Sequence, residues 1–238
     1  NSTYHTAEIT KVNEYNIFNE TSKVAFASLS LSNDSYKPIR TYEELSVDSL
    51  SGLLTTMGKL QLGESAAFQM VITPTDGTWR TKGKSYVRSI RDNNSDPDKK
   101  KKDVPEDVLA AIEKKCEKGG FYTDIRVVST ANSLPQAEVT LDTIINSFSQ
   151  FTKEGSNSFK KVSPSGKAKN QFIKDFIYRI PRETCLLNTA ELATIIHFPN
   201  RNINTPHINW LLSKRAPATS GIPSNGDLWL GLNVYSCL

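Results

Sequence analysis

One segment of the chain has the residue types of a phosphate-binding loop. It reads Gly77-Thr-Trp-Arg-Thr-Lys-Gly-Lys-Ser85 and lies between a strand-like run and a helix-like run, as such loops do. The loop needs four residues between its first glycine and the Gly-Lys-Ser group, because the backbone amides surround one phosphate while the lysine reaches the next. Five residues separate them here, so the spacing argues against nucleotide binding.

The helical periodicity of the same stretch gives a second argument against this site. One helical face would hold Trp79, Gly83, Tyr86, Val87 and Ile90. The residues from Gly83 to Ser85 are therefore predicted to be helical, with their amides bonded to carbonyls one turn earlier. A second Gly-Lys pair, at Gly166, lacks both the upstream glycine and the metal-binding hydroxyl. We expect no nucleotide and no other cofactor.

The remaining residues with catalytic or metal-binding chemistry are scattered. The three histidines are far apart, and neither His197 nor His207 has a Cys, Asp or Glu three or four residues away, as a helical metal site requires. No spacing indicates a Ser-His-Asp or Cys-His arrangement. Glu191 is better explained as half of a capping box with Asn188, and His197 as the end of the same helix. We predict no metal site and no catalytic residue, so the chain as given is not expected to be an enzyme.

Charge and composition limit the class of partner. The formal net charge of the 238 residues is only +4, and the tightest basic run, Lys99 to Lys102, is flanked by three aspartates. This pattern predicts at most weak, sequence-independent contact with DNA. Three widely spaced cysteines fit a reducing compartment. No apolar run approaches the ~20 residues that cross a bilayer, so membrane attachment is expected only through a segment upstream of Asn1.

Alternating and helical patterns predict an α+β fold with ferredoxin-like βαβ units, in which helices cover one face of a mostly antiparallel sheet. Strands are predicted at 7–12, 24–31, 66–73, 121–128 and 159–162, and helices around 50–57, 79–90, 105–118, 141–151 and 172–177. Residues 1–182 would form an accessory domain whose variable, solvated loop covers 91–104. Residues 183–238 would form a capped helix and an extended C-terminal connector.

The C-terminal part of the chain resembles a known family. The resemblance is strongest from Leu186 to Val234, and its most specific motifs are Glu191-Leu-Ala, His197-Phe-Pro and Leu230-Gly-x-Asn233, in this chain Leu230-Gly-Leu-Asn233. These motifs are similar to the lead-in to the nucleotide-binding domain of large bacterial membrane-associated ATPases, which are related to the DNA-pumping motors of type IV secretion and conjugation. Weaker similarity begins near Tyr4 and covers most of the chain.

The resemblance implies an accessory domain at the cytoplasmic face of the inner membrane, which positions or regulates a hexameric motor that moves DNA or protein. It implies that the partner is the ATPase domain or a neighbouring subunit, and it gives no catalytic role to any residue here. Two alternatives stay open. One is a stand-alone interaction or structural protein of a secretion or mobile-element apparatus, and the other is a nucleotide-binding enzyme that uses Gly77 to Ser85.

The apolar surface near the C-terminus suggests where a partner docks. The helix that begins near Asn188 is expected to pack on the α+β body, and the stretch beyond Pro199 is expected to be held by a partner surface. The residues predicted to take part in docking are Leu192, His197, Phe198, Pro199, Trp210 and Trp229.

Overall fold

The computed structural model describes residues 16–18 and 22–197. The strands are β1 (Lys23–Leu31), β2 (Ser65–Pro74), β3 (Gly120–Ala131), β4 (Phe159–Val162) and β5 (Cys185–Asn188). The α-helices are α1 (Ser51–Gly58), α2 (Thr78–Ser95), α3 (Glu106–Glu117), α4 (Leu134–Asn146), α5 (Lys167–Tyr178) and α6 (Thr189–Ile195). Short 3-10 helices cover Tyr42–Glu44 and Ser147–Phe151. The predicted strand at 7–12 and the connector beyond residue 197 lie outside the described residues.

The strands pair only in antiparallel fashion in the part of the chain that is described, which confirms the α+β prediction. The sheet has the order β2-β3-β1-β4, and β5 pairs with β3 beside the end of β1. Since β1 and β2 both run antiparallel to β3, they are parallel to each other, and α1 connects them around the intervening strand. By the same reasoning α4 connects β3 to the parallel strand β4. Two interleaved βαβ units give this order, and the finer ferredoxin-like assignment remains a prediction.

Helices cover both faces of the sheet, whereas the sequence predicted a single covered face. On one face, Ala27 and Leu29 of β1 belong to the same core cluster as Leu141 and Ile144 of α4. On the other face, Phe26 of β1 stacks on Phe172 of α5 with the ring centroids 4.7 Å apart. The physical reason lies in β3, whose residues from 123 to 131 are all buried, as expected for a strand that is covered on both sides.

A helical hairpin is inserted between β2 and β3. Trp79, Val87 and Ile90 of α2 are buried with Ile112 of α3, so the helical face predicted for α2 is confirmed. Residues 91–95, which the sequence assigned to the solvated loop, are helical because α2 continues to Ser95. In this extension the guanidinium of Arg91 contacts the carboxylates of Glu106 and Glu113 on α3.

The segment from β5 to α6 belongs to the body of the fold. The core cluster that holds Ala27 and Leu29 of β1 also contains buried residues of β5 and α6. These are Cys185, Leu187, Leu192 and Ile195. Sequence analysis assigned residues 183–197 to the C-terminal region and missed β5, because four residues give too short a pattern to distinguish a strand from a loop. The body therefore holds the chain firmly up to the point where α6 ends.

Candidate functional site

The candidate phosphate-binding segment is part of helix α2, at the point where α2 packs closely on α3. Gly83, Lys84 and Ser85 lie inside α2, as predicted, so their amides take part in the helix. A Cβ atom added at Gly83 would lie 2.5 Å from Sγ of Cys116 and 2.9 Å from Cβ of Tyr36. The glycine therefore serves the close approach of α2 to α3, and the Gly-Lys-Ser order does not create a phosphate cradle here.

The most elaborate polar site of the described residues anchors α6. Asn188 and Glu191 form the predicted capping box, in which each side chain accepts a hydrogen bond from the other residue's backbone N–H at 2.9 Å. Glu191 also accepts a hydrogen bond from the backbone N–H of Ile39 at 2.9 Å. Its carboxylate is fully buried. The cap therefore joins α6 to the long connection between β1 and α1.

Lys115 of α3 completes this anchor. Its ammonium nitrogen lies 3.0 Å from a carboxylate oxygen of Glu191, and both side chains are 1% exposed. The same ammonium group donates to the backbone carbonyls of Lys37 and Leu186, at 3.3 Å each. All three of its protons thus have an acceptor, as a buried ammonium requires. Sequence reasoning missed Lys115, because an isolated lysine in a helix gives no sign that it faces a carboxylate 76 positions later.

Further contacts fix the end of α6. The hydroxyl of Thr194 accepts a hydrogen bond from the backbone N–H of Tyr42 at 3.0 Å, and the hydroxyl of Ser49 donates to the carbonyl of Thr194. Nε2 of His197 lies 3.1 Å from a carboxylate oxygen of Asp48. The predicted role of His197 at the helix end therefore involves a side chain rather than the free carbonyls of α6.

The predicted docking residues have different fates. Leu192 is 9% exposed and packs in the core of the body, which confirms the predicted docking of this helix on the body and leaves Leu192 little surface for a partner. His197 is partly exposed beside Asp48. On the outer side of α6, Ala193 and Ile196 are exposed. Phe198, Pro199, Trp210 and Trp229 lie outside the described residues.

A second buried polar cluster lies between the sheet and α5. Arg126 of β3 contacts Asp124 two residues earlier and donates to the carbonyl of Asp175 on α5 at 2.6 Å. Arg182 donates two hydrogen bonds to the carboxylate of Asp175, at 2.6 and 2.7 Å. These hydrogen bonds hold the pKa of Asp175 below its usual range. Asp175 thus stays ionised at neutral pH and is a weak base.

This cluster borders a cavity of about 290 Å³ that Ser28, Ser30, Val162, Phe172 and Thr184 also line. The two arginines and two aspartates balance in charge, and each carboxylate has partners, so the arrangement joins β3, α5 and the segment before β5. Asp124 and Arg126 occupy alternate positions of a strand, which could have indicated that they share a face. Sequence analysis did not single them out.

The two described cysteines are poor nucleophiles. Burial raises the pKa of the Cys116 thiol, and it raises the pKa of Cys185 to about 12. Thiols in such surroundings remain protonated at neutral pH, and the thiolate is the reactive form. Between residues 22 and 197, no group of three or more His, Cys, Asp and Glu side chains is arranged to hold a metal ion. No described helix is long and apolar enough to span a bilayer.

Comparison with known proteins places the chain in one family. Residues 1–211 match the family model described as a domain of unknown function, DUF8128, and the chain belongs to that family. No curated protein and no solved structure matches the chain.

Proposed function

We propose that this chain is a non-catalytic accessory and assembly domain of a membrane-associated ATPase of the type IV secretion or conjugation kind, which translocates DNA or protein. In this proposal the domain works at the cytoplasmic face of the inner membrane and orients the motor. The partner is the ATPase domain or a neighbouring subunit. The observation that supports the proposal is the buried anchoring of α6.

The buried anchoring of α6 fits a domain that fixes the orientation of the segment joining it to a motor. A flexible tether would need no buried contact, because chain connectivity alone keeps two domains close. Here α6 is fixed by its apolar residues, by the capping box and by the ion pair of Lys115 with Glu191. Burying such a pair carries a large desolvation cost and is better suited to defining one arrangement than to adding stability. The body therefore fixes the chain as far as His197.

The resemblance of residues 186–234 to the lead-in of translocation motors gives this anchoring a purpose. In those ATPases the corresponding segment runs directly into the motor domain. A rigidly held α6 would transmit the orientation of the accessory domain to the motor, or of the motor to the accessory domain. No residue of the described body needs catalytic chemistry for this role.

A stand-alone interaction module is the second candidate, and strand β2 favours it. β2 is ten residues long, contains no charged residue, and pairs among the described strands only with β3. A long uncharged edge strand is suited to pairing with a strand of another chain. The third candidate, a nucleotide-binding enzyme, loses its support because Gly83 to Ser85 are helical.

Photo-crosslinking in cells of the source organism tests the proposal. A photoreactive amino acid would replace Ile196, which is 46% exposed at the end of α6, and the crosslinked peptide would be identified by mass spectrometry. The proposal predicts a crosslink to an ATPase region that carries a phosphate-binding loop, in the same polypeptide or in a neighbouring subunit. Crosslinks that join Ile196 only to proteins without such a region would contradict it.

A matched position provides the control. Leu62, in the turn before β2, is fully exposed and belongs to neither α6 nor the contacts that fix it. The same photoreactive residue at position 62 should not capture the ATPase region. If position 62 captures the partner and position 196 does not, the partner contacts the β2 side of the sheet, which is the result that the second candidate predicts.

A further inference from the structure

Positive charge is concentrated in one part of the surface. Residues 160–182 contain seven basic residues and one acidic residue, a net charge of +6, whereas the whole chain has +4. All other residues together therefore carry a net charge of −2. The basic residues are Lys160, Lys161, Lys167, Lys169, Lys174, Arg179 and Arg182. The Lys99–Lys102 run, which stands out in the sequence, is by contrast flanked by three aspartates.

The fold leaves four of these lysines exposed on two neighbouring elements, β4 and α5. Lys160 is exposed on β4, opposite Ser30 of β1 and on the face of the sheet that α5 covers. Lys167, Lys169 and Lys174 are exposed on α5. Within the described part of the chain, no ion pair neutralises these four lysines. We call this region the β4–α5 surface.

Polar and aromatic side chains are also exposed on this segment. Ser163, Ser165 and Asn170 are exposed in the loop after β4 and along α5, and their side chains can donate hydrogen bonds to phosphate or sugar oxygens. Tyr178 is 69% exposed at the end of α5. An exposed aromatic ring on the same helix as exposed lysines offers a face on which a base can stack.

We infer that the β4–α5 surface binds the phosphodiester backbone of a nucleic acid without sequence preference. A helix that lies in a bilayer interface inserts an apolar face. The apolar face of α5 is already occupied, because Phe172 stacks on Phe26 and Phe176 makes an edge contact with Phe18. The outward side presents mainly charge and hydrogen-bond donors, with Ile177 as a partly exposed apolar side chain of α5. This inference does not depend on the proposed docking to a motor.

Fluorescence anisotropy with a labelled 20-base-pair duplex and a labelled 20-nucleotide single strand tests it over a range of salt concentrations. If the four lysines contact phosphates, the logarithm of the association constant for the duplex should fall with the logarithm of salt concentration with a slope of about −3 to −4. The triple variant K167Q/K169Q/K174Q should lower the magnitude of that slope by about 2 to 3. Its unfolding temperature should stay that of the wild type, since the three side chains are exposed.

The variant K100Q/K101Q/K102Q removes the same charge from another exposed segment and should leave the slope nearly unchanged. Equal losses in the two triple variants would show a diffuse charge effect and would overturn the inference. Absence of binding at the lowest salt would also overturn it. So would binding of phosphatidylglycerol vesicles through the α5 lysines without binding of either nucleic acid, because the surface would then recognise a membrane.

Discussion

Lys115 and Glu191 form an ion pair that is almost completely shielded from water, with the ammonium nitrogen 3.0 Å from a carboxylate oxygen. The pair joins α3, which belongs to the hairpin inserted between β2 and β3, to α6, which follows β5. Glu191 also closes the capping box at the start of α6. The position of α6 thus depends on one carboxylate, which caps the first turn of the helix and also pairs with Lys115 of the body.

Removal of one partner of this pair should destabilise the fold strongly. Glu191→Gln leaves the ammonium of Lys115 buried without its counter-charge, which typically costs about 3–5 kcal/mol of the free energy of unfolding. Chemical denaturation followed by circular dichroism measures the change. Lys115→Met should have a comparable effect, because it leaves the carboxylate of Glu191 uncompensated.

The double variant K115M/E191Q completes the thermodynamic cycle. It should lose clearly less stability than the sum of the two single variants, since it leaves no unpaired charge. Lys161→Ala, which breaks the exposed pair with Asp142, is the control and should cost about 0–1 kcal/mol. Additive effects of the two core substitutions would show that the pair is not energetically coupled.

Gly83→Ala should lower stability, although alanine normally favours helices over glycine by about 1 kcal/mol. The new Cβ would lie 2.5 Å from Sγ of Cys116, and such overpacking costs about 1–3 kcal/mol. The loss should be smaller in a Cys116→Ala background, where that sulfur atom is absent. Ser85→Ala, on the exposed side of the same helix, should be neutral or slightly stabilising. Stabilisation by Gly83→Ala would mean that α2 and α3 do not approach so closely.

Titration with ATP and magnesium tests the nucleotide-binding alternative. The chain should show no saturable binding at micromolar concentrations, because Gly83 to Ser85 are helical. Lys84→Ala should change nothing in the same isothermal titration. Micromolar affinity that disappears in Lys84→Ala would restore the enzyme hypothesis.

Acid should remove the contribution of Asp175 to stability. Arg182 lowers the pKa of this carboxylate in the folded state, whereas in the unfolded chain it is about 3.9. The favourable contribution is therefore fully present above the unfolded pKa and is lost as the pH falls through the lower, folded pKa. Asp175→Asn should be less stable than wild type at pH 7, and the difference should shrink below about pH 4. A constant difference from pH 7 to pH 2 would contradict this.

The sequence predicted the main elements because their patterns are long and periodic. The predicted strand at 159–162 coincides with β4, and the predicted helix at 105–118 differs from α3 by one residue at each end. The covering of both sheet faces was not predicted. Phe26 and Phe172, which meet on the second face of the sheet, are 146 positions apart. The alternation of residues in β1 does not reveal which helix covers that face.

The candidate site was predictable only where its contacts are local. Asn188 and Glu191 are three residues apart, so the capping box could be predicted from residue types. Lys115 reaches the same carboxylate from a distant helix, and Arg126 reaches Asp175 across 49 positions. Such pairs depend on the packing of elements, which a single sequence does not specify.

Native-state hydrogen exchange of α6 tests the central claim most directly. If the buried anchor fixes α6 on the body, the amides of Leu192 and Ile195 should exchange in the wild type as slowly as the amides of β3 do. Under conditions where Glu191→Gln remains folded, they should exchange at least about 100-fold faster through local opening, which corresponds to about 3 kcal/mol. Exchange of α6 that is already fast in the wild type, or that Glu191→Gln leaves unchanged, would show that the anchor does not hold α6 on the body.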